Sequence, residues 1–395
     1  MLSRLIAFLA RCHQHEFGVV FTAEPSGYGA VVRFACLNCD RQSSETRLSH
    51  RQTADGKSAS FNHKVLQVWL GLGFGESQYH QFFRTLNIDH YSHAVVYANQ
   101  RRLADHTDDK WRSVQQEVTE RIRAQFRGGS AYVTDFTYDF RRHAPSGLSI
   151  LLHHQSKKIV IGETLFRTTS SQAMEYEGAE KLAESAKHLG LKVTHVIKDA
   201  HNTTFHAFSG DQFFAGVLEV RDTNHSGKQV KSGLESVRRG LGQHGRPNPL
   251  PADLPRKTKS YFFYVLREYG GTREVDCKNV QNEWMKGQRH LQGLAGHDKE
   301  CKPGHGCDRA FGQTRVSGDA SARIFAFFTM WSSEIRTRRL YFGWNCAALD
   351  SFHHELLVYR DKIHYWKDFM KTRHKLAMIR HNIGHTDFIN WLSAL

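Results

Sequence analysis

Two aspartates stand at the ends of strand-like apolar runs: Asp135 in Tyr132-Val-Thr-Asp135-Phe-Thr-Tyr138, and Asp199 in Val196-Ile-Lys-Asp199. Acids far apart in sequence that meet at one sheet edge can hold hard divalent cations, which take oxygen ligands, mostly carboxylates. Two such ions roughly 4 Å apart serve phosphoryl transfer from a nucleic acid backbone. One activates the attacking water or 3′-hydroxyl, and the other stabilises the leaving oxygen. A third acid from a late helix completes such a set, and Glu355 in Phe352-His-His-Glu355-Leu-Leu is the choice. Asp139 competes with Asp135, and Glu334 with Glu355. Taken singly, an Asp at a strand end is more often a turn former or a helix N-cap. The set therefore stands or falls on convergence.

The elements that must position these acids can be read from pattern. Ala131–Tyr138, Leu148–His153 and Lys158–Phe166 read as consecutive strands. Ser170 to Leu189 reads as a helix with Ser171 as N-cap and Gly190 as its stop, and Lys192–Lys198 as a fourth strand. The order β-β-β-α-β-α over 129–245 predicts an α/β, RNase H-like mixed sheet core, with the first and fourth strands as neighbours. Before it, 60–128 reads as helical and DNA-binding in character. Val65, Leu66, Trp69 and Leu70 share one face, and a helix from Asp109 to Phe126 ends at Gly128-Gly129. After it, 245–256 holds four of the seven prolines and forms a break. A mostly helical insertion follows over 257–345. The segment 346–395 carries the third acid on a long helix covering about 352–382.

Cysteine and histidine spacing suggests further sites. Cys12-His-Gln-His15 and Cys36-Leu-Asn-Cys39 have knuckle spacing suited to tetrahedral Zn²⁺ and define an N-terminal zinc module over 1–50, with His13 as a poorer alternative to His15. His225, in Asp222-Thr-Asn-His225, and the pair Cys301 and Cys307, with His305 between them and His297 nearby, are looser metal candidates. Cys277 and Cys346 read as core thiols. Seven cysteines, an odd number, four of them in two close pairs, suit a reducing, intracellular compartment.

The charge is +15, from 54 Lys+Arg against 39 Asp+Glu. A polyanion is the natural partner, since phosphates neutralised by Lys or Arg release counterions. Basic clusters recur at Arg101-Arg102, Arg121/Arg123/Arg127, Arg141-Arg142-His143, Lys157-Lys158, Lys228/Lys231/Arg238/Arg239 and Lys367/Lys371/Arg373/Lys375/Arg380. No apolar run reaches membrane length, and Met1 to Leu9 is too short for a span, so no membrane partner is expected.

The chain resembles the Mutator-like DNA transposase domain of animal mobile elements, colinearly from about Gly27 to Asn382. Val133-Thr-Asp135-Phe-Thr-Tyr138 with Ser146-Gly147-Leu148 resembles the family's first-aspartate motif. Met174-Glu175-Tyr-Glu177-Gly178 resembles its Met-Glu-x-Glu-Gly helix start, and Ile197-Lys198-Asp199-Ala-His-Asn202 its second-aspartate motif. His354-Glu355 followed by Leu-Leu-Val resembles its Asn-Glu pair. The chain departs from the pattern at Phe136, Tyr138, Lys198, Ala200, His201 and His354. The resemblance implies a DDE transposase of RNase H-like fold. Asp135, Asp199 and Glu355 would hold Mg²⁺ or Mn²⁺, with structural Zn²⁺ at the N-terminus. It implies double-stranded DNA as substrate, a homodimer or higher oligomer that joins two ends, and a nuclear location. Rival readings are an inactive, transposase-derived zinc and DNA-binding protein, and another RNase H-like nuclease.

Overall fold

The computed structural model describes residues 19–26, 29–36, 46–47, 60–85, 92–139, 145–167, 170–199, 203–242, 248–294, 304–337, 339–359 and 369–395, with side chains from Leu66 onward. It divides into two compact units, Met1–Thr107 with Gly384–Leu395, and Asp108–Ile383. Of the proposed zinc ligands, Cys12, His15 and Cys39 lie outside the described residues. Cys36 ends a strand, and its side chain is not described.

The first unit opens with an antiparallel sheet of β1 (Val19–Ser26), β2 (Gly29–Cys36) and β3 (Thr46–Arg47), in that order. Helices α1 (Ser60–Gly71) and α2 (Glu76–Thr85) follow, joined by a turn in which Gly73 has φ 91°. The expected helix from Asp109 is the second half of a longer one, α3 (His93–Gln125). No Gly or Pro interrupts it, and Val96, Leu103, Trp111, Val114 and Ile122 keep one buried stripe along its length.

The second unit is built on a five-stranded sheet: β4 (Ser130–Tyr138), β5 (Ser146–His153), β6 (Ile159–Phe166), β7 (Val193–Lys198) and β8 (Leu218–Arg221), in the order β6-β5-β4-β7-β8. β4, β5 and β6 pair antiparallel, whereas β7 and β8 run parallel to β4. Successive residues of a strand face opposite sides. Tyr132 and Val196 on one side join Leu182, Ala186 and Phe208 in the core. That core is closed by α4 (Ser171–His188) and α5 (Thr203–Ser209). The N-cap of α4 is Ser170 rather than the expected Ser171. Its hydroxyl accepts from Ala173 N at 3.1 Å, which fixes where the helix begins. Gly178 lets α4 lie close: a Cβ there would stand 2.9 Å from Ser149 Cβ and 3.1 Å from Phe136 Cε2. The family-like glycine thus has a packing reason.

Next comes α6 (Thr223–Leu241), then a helical stretch of α7 (Leu254–Tyr269), α8 (Glu274–Gln292), α9 (Gly306–Phe311) and α10 (Gly318–Thr337). Trp284 anchors it, stacking on Phe328 and donating to the Phe328 carbonyl at 3.0 Å. The single late helix expected is described as two, α11 (Ala347–Tyr359) and α12 (Met370–Ile383). α11 packs against β4 and α12 against β6, on the sheet side opposite α4. α13 (His385–Ala394) returns to α1 in the first unit, where Leu392 lies over Gly71. Among the described residues no helix is long and apolar enough to cross a membrane.

Candidate acidic site at the ends of β4 and β7

β4 and β7 are adjacent and parallel, with Val133 opposite Ile197. Two residues further along each strand stand Asp135 and Asp199. Equal offsets from a matched pair give the same level and the same face. Both line a cleft of about 860 Å³ over the strand ends, together with Tyr138, Glu175, Lys198 and His206. The competitor Asp139 is withdrawn into the interior, 1 % exposed. It accepts from Ser146 Oγ and lies 3.2 Å from Nε2 of the fully buried His374, whose Nδ1 is 2.8 Å from Thr164 Oγ1. That network ties β4 to β6 and α12 and leaves Asp135 as the acid that reaches the cleft.

α11 brings further groups to the same edge. His353 Nδ1 lies 3.7 Å from Asp135 Oδ2, and Asp350 is one turn earlier on that helix. On β8's far end, Asp222 caps α6, accepting from Asn224 N at 2.9 Å, and also takes Cys346 N at 3.3 Å. His225, one turn into α6, places Nδ1 3.4 Å from Asp199 Oδ2. It is thus the partner of an acid at this edge.

The electrostatics record this convergence. Burial pushes the Asp135 carboxyl up to about 7; the Phe136 N–H, 2.8 Å from Oδ1, opposes it, and the charges of Asp199, Asp350 and Glu175 raise it further. Asp222 is raised chiefly by burial, with Asp199 adding to it and backbone N–H groups opposing. Asp350 is raised by burial and by Asp222. The buried Cys346 thiol is held neutral first by desolvation, then by Asp222, Asp199, Asp135 and Asp350 together. One thiol thus feels four carboxylates. The Tyr138 hydroxyl donates to Glu175 Oε2 at 2.9 Å, fixing the cleft wall.

Glu355 does not join this set. Both its oxygens lie 3.3 Å from His381 Nδ1, whose Nε2 meets the Lys157 carbonyl. Glu334 faces Arg221 at 3.8 Å. The acid of α11 that acts on Asp135 is Asp350, which motif reading passed over. Its Asp-Ser-Phe-His setting carried no signal until the phase of α11 was known. In the sequence Asp222 enters only as part of the segment that carries His225.

The remaining expectations divide. Cys301 lies outside the described residues. Cys307 is buried 3.4 Å from His305 Nδ1 and is disulfide-bonded, so in this structure its sulfur is no thiolate ligand. Cys277 and Cys346 are buried and not disulfide-bonded, as expected of core thiols. Of the basic clusters, Arg141, Arg142, His143 and Lys367 lie outside the described residues. Arg373 is not a surface cation: it is 2 % exposed and donates to the Tyr359 carbonyl. Lys375 pairs with Asp108 at 2.7 Å.

Comparison with known proteins gives three findings. No curated protein matches the sequence. Among solved structures, the Drosophila P element transposase strand transfer complex is similar with a TM-score of 0.32 and 9 % identity, over 85 % of this chain and 95 % of that one. The family model described as Mutator-like transposase matches residues 2–141. The chain is similar to the Mutator-like transposases over a stretch that runs through β4 and includes Asp135.

Proposed function

We propose that the protein is a metal-dependent DNA transposase of RNase H-like fold, with Asp135, Asp199 and Asp350 as its acidic set. The observation that carries this reading is the matched placement of Asp135 and Asp199 at the ends of neighbouring parallel strands; Asp350 of α11 is added because its charge raises the Asp135 carboxyl. The strand order β6-β5-β4-β7-β8 fits the core expected from the sequence, and the family match over residues 2–141 supports the transposase class. The residues fit hard cations: several carboxylates crowd one edge, and bound positive charge would relieve their mutual repulsion. Asp135, Asp199 and Asp350 would hold Mg²⁺ or Mn²⁺, which activates a water or 3′-hydroxyl and stabilises the leaving oxygen when bound.

The chain's own groups then have separable tasks. Asp135 and Asp199 supply oxygen ligands from a rigid sheet. His225 and His353 hold those carboxylates in place. Exposed basic residues of α6, such as Lys231, track the phosphates of double-stranded DNA. The Cys12, His15, Cys36 and Cys39 module with Zn²⁺, the homodimer that brings two DNA ends together, and the nuclear location belong to the same reading.

The test is cleavage of a DNA carrying the element's ends by the purified chain with Mg²⁺ or Mn²⁺. Asp135→Asn and Asp199→Asn should each abolish cutting while DNA retention in a mobility-shift assay stays within about twofold, because neither residue is a phosphate-binding cation. Wild-type cutting by either variant defeats the assignment. Retention of DNA with no metal-dependent cutting by the wild-type chain favours the inactive, DNA-binding rival.

A further inference from the structure

We infer that Glu76, His80 and His93 form a second metal site, for a Zn²⁺-class ion, in the helical part of the first unit. Glu76 and His80 are one turn apart on α2, so they share a face, and His93 opens α3. One ligand atom from each lies within 4.8 Å of the other two. Both imidazoles converge on the same carboxylate oxygen: His80 Nε2 is 3.6 Å from Glu76 Oε1, and His93 Nδ1 is in direct hydrogen-bond contact with it. The two rings lie 4.1 Å apart between centroids.

This donor set is chemically specific. Bonds of roughly 2.0–2.1 Å from a tetrahedral ion place neighbouring ligand atoms about 3.3 Å apart. The His80–Glu76 separation, 3.6 Å, is already near that value. Imidazole nitrogen with one carboxylate suits Zn²⁺ and similar transition ions better than Mg²⁺ or Ca²⁺, which prefer all-oxygen shells. The burial is graded: His80 is 7 % exposed, Glu76 27 % and His93 73 %. The ion would thus be seated against the helices on one side and reach solvent on the other, leaving a fourth position for water. Its effect is to clip the start of α3 to α2, two elements that are otherwise held here by hydrogen bonds and ring contacts. An ordinary ion pair between Glu76 and His93 would explain that pair, but not a buried second imidazole aimed at the same oxygen.

The site shares no ligand with the acidic set or with the proposed cysteine module, and its test separates it from both. The full chain is stripped with chelator and titrated with Co²⁺ and Zn²⁺, followed by visible absorption and by bound metal per chain. The wild type is compared with His93→Ala and with Glu76→Gln. His93 is exposed, so its replacement should leave the circular-dichroism spectrum unchanged. The expected result is loss of one bound Co²⁺ whose spectrum lacks thiolate absorption, or Zn²⁺ binding at that site weakened more than about tenfold, in both variants. Equal stoichiometry, affinity and spectra in folded wild type and His93→Ala overturn the site.

Discussion

Replacing Asp350 by Asn, against replacing Glu355 by Gln, discriminates two acids of the same helix. They are five residues apart on α11, which at 3.6 residues per turn puts them about 140° apart around its axis. His353, the residue of α11 that meets Asp135, lies about 60° from Asp350 and about 160° from Glu355 around that axis. Asp350 acts on Asp135, Asp222 and Cys346, whereas Glu355 is engaged with His381. Losing one acidic ligand is expected to weaken divalent-metal affinity by at least the 10–100-fold seen for outer-shell partners, or about 1.4–2.8 kcal/mol. Asp350→Asn should therefore shift the Mn²⁺ dependence of DNA cutting upward by tenfold or more, and direct Mn²⁺ binding should move with it. Glu355→Gln removes a half-exposed pair worth about 0.2–1 kcal/mol of stability and should leave the Mn²⁺ curve where it was. A metal dependence that moves with Glu355→Gln and not with Asp350→Asn would refute the geometric argument.

Two further perturbations test the scaffold. Gly178→Ala gains up to about 1 kcal/mol of helix propensity, but its methyl meets Ser149, Leu165 and Phe136 at 2.9–3.1 Å, and overpacking of that kind costs about 1–3 kcal/mol. The balance predicts a net loss near 1 kcal/mol in urea unfolding, and a stabilised variant would show that α4 has room to move. His153 is fully buried, its Nδ1 accepts the Ser156 N–H at 3.1 Å, and desolvation lowers it to about 4, with His154 and Lys157 adding to the effect. The unfolded chain then binds the extra proton between about pH 6.5 and 4, so stability falls as pH drops through that window, by about 2–3 kcal/mol at most. Equilibrium unfolding of wild type and His153→Gln from pH 7 to 4.5 checks this, since the variant should lose less stability; equal losses would remove His153 from the account.

The aspartates at the ends of β4 and β7 were legible because a strand end is a local pattern and the first and fourth strands of this order become neighbours. The partition of Asp135 from Asp139 was not. It depends on His374, 235 residues further on, closing over Asp139 from α12. The surroundings of Glu355 were illegible for a similar reason. A His-Glu pair is a motif, but which side of α11 meets the sheet is set by Leu349, Phe352 and Leu356, all buried. The one-residue error at Ser170 comes from two adjacent serines that differ only in which hydroxyl can turn back to Ala173 N. The long α3 was read as beginning too late because the apolar stripe is sparse near His93, where charged and polar residues dominate.

Lys198 is the family departure with the clearest physical consequence. A cation next to Asp199 competes with any bound metal ion unless its charge is balanced elsewhere. Alternation along β7 answers this: Lys198 shares the face of Val196, opposite that of Ile197 and the acid that follows. Its ammonium is 3 % exposed and lies 3.4 Å from Glu219 Oε1, and Glu219 stands opposite Val196 on β8, so the pair forms a diagonal across the same face. A buried lysine needs such a partner, because an uncompensated charge there would cost several kcal/mol. Lys198 also lines the cleft and reaches the Asp199 carbonyl at 3.4 Å, but its charge is balanced by Glu219. Asp199 lines the cleft and lies 3.4 Å from Nδ1 of His225. The residue that looks most like decay in the sequence is accommodated without disarming the acidic edge.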